Sequence, residues 1–142
     1  LSHYELNYME VIMNPIIIHT DGSCETQTRL GGWAAVLQCG EHQRLLQGSA
    51  TDTTVNAMEL TAVIEALKAL KQAGSSAQLF SDSNYVVRGV NDWLSDWIKR
   101  GWKNARGEQV ANLDLWQYHI YVLYIAQWWR NCGIEFSISN IY

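Results

Sequence analysis

The chain contains few cysteines, a single proline and no long apolar run. Its three cysteines, Cys24, Cys39 and Cys132, lack the spacing of metal ligands, and a sparse, odd set of this kind is typical of reduced thiols in a reducing compartment. No apolar run approaches the ~20 residues that span a bilayer, and no secretory signal precedes the first predicted strand. These absences predict a cytoplasmic location without membrane association.

Basic residues are also scarce, which bears on any interaction with nucleic acid. Ten Lys and Arg stand against 14 Asp and Glu, so the net charge is −4, whereas phosphate contacts require cations. Between Arg88 and Arg106, however, five basic residues face two acidic ones, which gives a local charge of +3. Trp93, Trp97 and Trp102 lie in the same segment. This basic, aromatic segment is therefore the candidate surface for an anionic partner.

The length and composition predict one domain with a single core. The 142 residues are 48% hydrophobic and contain no internal repeat or low-complexity tract. Met13 and Pro15 directly precede the first predicted strand, whereas the chain begins at Leu1. We interpret residues 1–14 as a leader or added extension and residues 15–142 as the domain.

The apolar pattern predicts an α/β fold with the order β-β-β-α-β-α-α-β. Predicted strands occupy residues 16–20, 33–39, 42–50, 77–80 and 134–138. The first predicted helix carries the apolar repeat of residues 60–70 and ends at Gly74. A second helical segment lies within residues 83–99 and breaks at Gly89. A third helix runs from an Asn112 cap to Gly133. The first three strands would form an antiparallel meander. The crossover helix makes the fourth strand a candidate parallel neighbour of the first.

Three acidic residues stand at boundaries of these predicted elements. Asp21 and Asp82 each follow a predicted strand, and Glu59 lies near the start of the first helix. If the two strands are parallel neighbours, their carboxyl ends meet at one edge of the sheet, where open α/β sheets place their sites. Clustered carboxylates repel one another unless a cation lies among them, and hard divalent ions prefer such oxygen ligands. The sequence therefore predicts a divalent-metal site.

A series of motifs resembles the type 1 ribonuclease H family. In chain order they are Thr20-Asp21-Gly22-Ser23-Cys24, Gly31-Gly32, Thr53-Thr54-Val55-Asn56-Ala57-Met58-Glu59-Leu60, Ser81-Asp82-Ser83-Asn84-Tyr85-Val86, Trp93-Leu94-Ser95-Asp96-Trp97-Ile98-Lys99-Arg100-Gly101-Trp102-Lys103, and Asn112-Leu113-Asp114-Leu115-Trp116. Each motif is short, but the ordered set is specific. The resemblance implies a ribonuclease H-like fold, a mixed five-stranded sheet with helices on both faces.

The resemblance also implies an activity, which is hydrolysis of the RNA strand of RNA–DNA hybrids by a two-metal-ion mechanism. It assigns catalysis and Mg²⁺ binding to Asp21, Glu59 and Asp82, and Mn²⁺ can replace Mg²⁺. It assigns substrate binding to Cys24, Thr54, Asn56, Asn84, Trp93, Lys99, Arg100, Trp102 and Lys103. Among these, Asn56 and Asn84 would reach into the minor groove, where the 2′-hydroxyl distinguishes RNA from DNA. Thr54 would anchor a phosphate of the DNA strand.

The sequence departs from the family where a fourth carboxylate, a histidine loop and a final helix are expected. The last acidic residue is Glu135, and no histidine follows His119. The fourth ligand is therefore either absent or supplied by another group, such as Asn140 or a second subunit. We expect reduced activity from a site with three carboxylates. The alternatives are a weak or inactive module that binds hybrid or duplex RNA, and a truncated form completed by dimerisation, so that both a monomer and a dimer remain open.

Overall fold

The chain forms a mixed five-stranded sheet with helices packed against it, seen in a computed structural model that describes residues 15–70, 76–118 and 136–141. The predictions made for residues 1–14, for Gly74 and for the C-terminal part of the last helix up to Gly133 lie outside these residues. Within the described parts of the chain, no helix has the length and apolar character required to cross a membrane.

The sheet has the predicted topology. Its strands are β1 (Ile16–Cys24), β2 (Gly31–Cys39), β3 (His42–Ala50), β4 (Ala77–Ser81) and β5 (Phe136–Asn140), arranged in the order β3-β2-β1-β4-β5. β1 is antiparallel to β2 and β2 to β3, whereas β1, β4 and β5 run parallel. The predicted mixed sheet, with the first and fourth strands as parallel neighbours, is confirmed.

β1 is longer than the pattern predicts. The β-branched run ends at Thr20, but the strand continues to Cys24 because β2 pairs with the extension in the register Gly22↔Trp33 and Cys24↔Gly31. The parallel pairing with β4 ends at Thr20↔Ser81. Asp21 therefore lies within β1, at the point where one neighbouring strand stops and the other goes on.

Helix α1 (Val55–Lys68) crosses from β3 to β4. The hydroxyl of Thr54 caps it by accepting a hydrogen bond of 3.1 Å from the Ala57 amide. The helix ends at Lys68, before the predicted stop. Its last turn tightens, since Ala69 N–H donates to Ala66 and Leu70 N–H to Leu67, and Leu70 remains buried beyond the helix.

The second helical segment contains the break that was predicted at Gly89. It consists of α2 (Asn84–Arg88), a π-helical turn (Gly89–Trp93) and α3 (Leu94–Lys99). A Cβ on Gly89 would lie 2.2 Å from the Trp116 ring, so this position requires glycine for close packing. Trp116 belongs to α4, which begins at residue 113 and is described as far as residue 118.

Asn112 precedes α4 but differs from the predicted cap. Its φ of 56° lies in the left-handed region, whereas an N-cap residue is extended. Its side-chain amide donates to the Tyr85 hydroxyl at 3.2 Å. Asn112 thus links the start of α4 to the start of α2.

The core lies between the helices and one face of the sheet. Ile18 and Leu79, partners across the β1–β4 pair, are almost completely buried together with Leu60 and Val63 of α1. α1 packs on this face, and Val86 of α2, Leu94 of α3 and Trp116 of α4 belong to the same buried cluster. The second face carries His19 stacked on Phe80, with ring centroids 5.4 Å apart. A helix on the second face stays a prediction.

Candidate metal centre and nucleic-acid interface

Asp21, Glu59 and Asp82 meet at the carboxyl edge of β1 and β4. Asp21 and Asp82 each follow one residue of the last parallel pair, Thr20↔Ser81, so the register places them side by side. One ligand oxygen from each of the three carboxylates lies within 4.8 Å of the others. Sequence reasoning predicted this convergence, and the structure brings these three side chains together.

Gly22 allows Glu59 to reach the cluster. A Cβ at Gly22 would lie 2.5 Å from the Glu59 amide nitrogen and 2.6 Å from the Met58 carbonyl carbon. Because both are backbone atoms, no side-chain rotation could relieve the clash. The absence of a side chain at Gly22 therefore sets how closely the first turns of α1 approach β1.

The electrostatics of the cluster are unfavourable without a cation. Glu59 is only 5% exposed, and burial, followed by the negative charges of Asp82 and then Asp21, raises the pKa of Glu59 from 4.5 to about 7. A hydrogen bond from the Gly22 amide opposes this rise. Glu59 Oε2 is buried and has no hydrogen-bond partner among the described residues. A buried acceptor facing two further carboxylates fits a divalent ion.

The sequence comparison agrees with this geometry. The sequence profile of the RNase H family matches residues 13–125. The chain belongs to the ribonuclease H family. It is 49% identical over 112 residues to a ribonuclease H of Syntrophomonas wolfei, covering 78% of this chain and 77% of that protein. It is 47% identical over 105 residues to a ribonuclease H of Ruthia magnifica, covering 74% and 72% respectively.

Solved structures of the family share the fold. LC9-RNase H1, described as a type 1 RNase H with the type 2 active-site motif, superimposes with a TM-score of 0.69 at 27% identity, covering 91% of this chain and 64% of that one. The RNase H domain of PFV superimposes with a TM-score of 0.65 at 20% identity, covering 89% and 79%. The family membership and the ribonuclease H-like sheet predicted from the motifs are thus confirmed.

Asn56 and Asn84, predicted to contact the minor groove, flank the carboxylate cluster. Asn56 lies in the first turn of α1, three residues before Glu59, and Asn84 is the first residue of α2, two residues after Asp82. Both side chains are exposed. This ribonuclease H therefore carries two exposed amide side chains at helix starts that lie close in sequence to Glu59 and Asp82.

Thr54 and Cys24, also predicted to bind substrate, lie close to each other. Thr54 is exposed, whereas Cys24 is half-buried. The Cys24 thiol donates weakly to the Thr53 carbonyl at 3.4 Å. Cys24 therefore packs against the turn that carries Thr54.

The predicted basic and aromatic segment divides into two kinds of residue. Lys99, Arg100 and Lys103 are exposed, whereas Trp93 and Trp102 are half-buried. The Arg88 guanidinium lies over the Trp93 ring, 5.2 Å from the ring centre. Trp102 packs against the core. The three cations are available to an anionic ligand, and the two indoles each keep part of their surface exposed.

Tyr85 holds this segment in place, and sequence reasoning did not single it out. Its hydroxyl accepts hydrogen bonds from Trp116 Nε1 at 2.9 Å and from Asn112 at 3.2 Å. Its ring lies 5.6 Å from that of Trp116 and 6.1 Å from that of Trp93. The only sequence signal was its position next to Asn84, which does not reveal partners about thirty residues away.

Asn140 lies at the same edge of the sheet as the carboxylates. It pairs with Ser81, the residue before Asp82, and the next amide, of Ile141, donates to the Ser81 carbonyl at 3.2 Å. The register therefore places Asn140 opposite Ser81, one residue before Asp82, and its role as a fourth ligand stays a prediction.

An open cavity of about 510 Å³ adjoins Asp21. It extends from the carboxylate edge across β1, β2 and β3, and its lining combines small and polar residues with one indole: Asp21, Gly22, Ser23, Gly32, Trp33, Ala34, Gln47, Gly48 and Ser49. This groove gives an extended ligand access to the cluster from the side of the antiparallel strands.

Proposed function

We propose that this ribonuclease H hydrolyses the RNA strand of RNA–DNA hybrids as a metal-dependent endonuclease, with reduced activity in the 142-residue chain. The observation that carries the proposal is the meeting of three carboxylates within 4.8 Å, one of them buried with an unpartnered oxygen. Such a cluster is stable only with protons or cations, and divalent ions are the cations that such a cluster of carboxylates recruits.

The proposed metal is Mg²⁺, with Mn²⁺ as a substitute, held by Asp21, Glu59 and Asp82. In this chemistry, bound divalent ions activate the attacking water and stabilise the leaving oxygen. The protein contributes the arrangement: β1 and β4 fix two carboxylates by register, and Gly22 lets α1 deliver the third. Asn140 would add a neutral fourth ligand, which is consistent with reduced rather than lost activity.

The proposed substrate contacts follow from the exposed groups around the cluster. Asn56 and Asn84 would contact the minor groove, and Thr54 and Cys24 would lie along the strand that passes the start of α1. Lys99, Arg100 and Lys103, together with Trp93 and Trp102, would hold the DNA strand. Two structural relatives were solved with an RNA/DNA hybrid, a foamy viral protease-reverse transcriptase and LC11-RNase H1.

Three further points belong to the proposal. The sparse cysteine set supports a cytoplasmic location. Residues 15–142 are proposed to form one domain, with residues 1–14 as an extension. The protein is proposed to act as a monomer, and a dimer is the alternative that sedimentation would reveal.

The test compares Asp21→Asn with Asp114→Asn, a matched change at an exposed position on α4. With a labelled RNA–DNA hybrid and MgCl₂, the wild type and Asp114→Asn should cleave the RNA strand. Asp21→Asn should lose cleavage but bind the hybrid at least as tightly, because a negative charge is removed from the site. Binding without cleavage by the wild type in both MgCl₂ and MnCl₂ would refute the proposal and favour the binding-module alternative.

A further inference from the structure

A second feature beside the active site concerns the loop between β1 and β2. Within it, Glu25 N–H donates to the Leu30 carbonyl and Arg29 N–H donates to the Glu25 carbonyl, both at 2.9 Å. Thr28 donates its hydroxyl hydrogen to the Glu25 carboxylate at 2.6 Å. The loop is therefore closed by its own hydrogen bonds, and it presents Arg29 at a defined position.

Two contacts join Arg29 to the turn that precedes α1. The Thr53 amide donates to the Arg29 carbonyl at 3.1 Å. Arg29 Nε lies 3.1 Å from Asp52 Oδ1. Thr54 follows directly in the same turn, so the Arg29 guanidinium lies against a residue only two positions from the proposed phosphate anchor.

The chemistry of this corner suits a phosphate. The contact with Asp52 involves Nε, and a guanidinium carries four further N–H donors on its terminal nitrogens. The Thr54 hydroxyl accepts from Ala57, which leaves its own hydrogen to be donated. A planar cation beside a hydroxyl donor is a common pattern in phosphate recognition.

We infer that Arg29 is a substrate-binding residue, which contacts the same phosphate of the DNA strand that Thr54 anchors. The inference rests on the proposed function and adds a residue to its substrate-binding surface. Arg29 would add a cation from the loop between β1 and β2 to those of Lys99, Arg100 and Lys103.

Asp52 does not block this contact. The Arg29 and Asp52 side chains are 54% and 85% exposed, and an ion pair this exposed is weak because water screens both charges. A phosphate can therefore replace Asp52 as the partner of Arg29, and Asp52 acts as a competitor. This competition predicts opposite effects of substitutions at the two partners.

The test uses Arg29→Gln and Asp52→Asn. Arg29 and Asp52 both have a positive φ, of 57° and 50°, and neither replacement is branched at Cβ; Asp52→Asn also keeps the side-chain size, whereas Arg29→Gln removes the charged group and shortens the side chain. The matched control is Arg44→Gln, an exposed position near the far end of β3 that pairs with Leu37. Both arginine variants change the net charge from −4 by the same amount. A difference in hybrid binding between them therefore reflects where the arginine lies and not the change in total charge.

Binding is measured with a short RNA–DNA hybrid in the Asp21→Asn background, and kcat and KM in the active protein. Arg29→Gln should raise Kd and KM about fivefold, the order expected for one exposed ion pair, and leave kcat unchanged. It should lower the slope of log Kd against log salt by about 0.7–0.9, the value for one phosphate contact. Asp52→Asn should tighten binding, and more so with Arg29 present than in the double variant.

The outcomes separate the inference from the proposed function. If the wild type neither binds nor cleaves the hybrid, the proposed function fails. If it does both but Arg29→Gln matches Arg44→Gln, or if Asp52→Asn weakens binding as Arg29→Gln does, the inference is refuted and the ion pair is structural. In a hybrid with methylphosphonate linkages in the DNA strand, the difference between wild type and Arg29→Gln should disappear, and its persistence would also refute the inference.

Discussion

Glu59→Gln tests the electrostatics of the carboxylate cluster in the absence of metal. Glutamine has the shape of the protonated acid, and its amide can donate toward Asp82. The pKa of Glu59 is raised from 4.5 to about 7, and a tenfold change in proton affinity is worth about 1.4 kcal/mol. The ionised form in the folded, metal-free chain is therefore destabilised by about 3 kcal/mol.

The pH dependence has a defined sign. Below 4.5 the carboxyl is protonated in the folded and the unfolded chain, and it costs no stability. Between 4.5 and about 7 the folded chain keeps a proton that the unfolded chain releases, so the free energy of unfolding falls as pH rises. Above about 7 the full cost is present. Glu59→Gln should thus stabilise the protein at high pH and have little effect at low pH.

Urea unfolding in EDTA measures this difference. At about pH 8, Glu59→Gln should be more stable than the wild type by about 3 kcal/mol, and at about pH 5 by less than about 1 kcal/mol. Adding MgCl₂ should recover stability in the wild type more than in the variant, which lacks one of the proposed ligands. The control is Glu65→Gln in the same helix, where the carboxylate faces Lys68 at 3.3 Å with 37% of its side chain exposed. An equal effect of Glu59→Gln at both pH values would refute the reasoning.

Two further substitutions test the geometry of the site. Gly22→Ala should destabilise the protein by about 1–3 kcal/mol and abolish cleavage, because its Cβ would press on the Glu59 and Met58 backbone. Thermal unfolding measures the loss of stability and a hybrid-cleavage assay the loss of activity. Normal activity would contradict the close approach of α1. Asn140→Asp should bind Mg²⁺ several-fold more tightly and cleave faster than Asn140→Ala, because it adds a carboxylate near Asp82. Calorimetric titration measures the Mg²⁺ affinity. Equal affinities in the two variants would exclude residue 140 from the site.

The sequence predicted the central part of the site because each acidic residue follows a strong local signal. The β-branched run before Asp21 and the apolar strand before Asp82 fix where both strands lie, and the crossover helix makes them parallel neighbours. The helix period placed Glu59 near the start of α1. These inferences needed only local periodicity and one rule of chain connection, and the register Thr20↔Ser81 and the start of α1 at Val55 confirm them.

The sequence could not predict features that depend on contacts between distant segments. The extension of β1 to Cys24 depends on pairing with β2, and the close packing of Gly89 on the Trp116 ring joins two distant segments. The pair between Arg29 and Asp52 joins two loops whose residue types are common on any surface. The raised pKa of Glu59 requires burial by a helix whose distance from β1 is set at Gly22. In each case tertiary packing, rather than local propensity, determines the structure.

The parallel pair of β1 and β4 also has a consequence for folding. β1, β2 and β3 are joined by short links, whereas Asp21 and Asp82 are about sixty residues apart in the chain, and pairings of such long range form slowly. The acidic cluster is therefore assembled only when β1 and β4 pair. A divalent ion that binds only after β1 and β4 have paired would stabilise this pairing by mass action. As Mg²⁺ is added, the amides of the β1–β4 ladder should then exchange with solvent more slowly than those of the β1–β2–β3 meander.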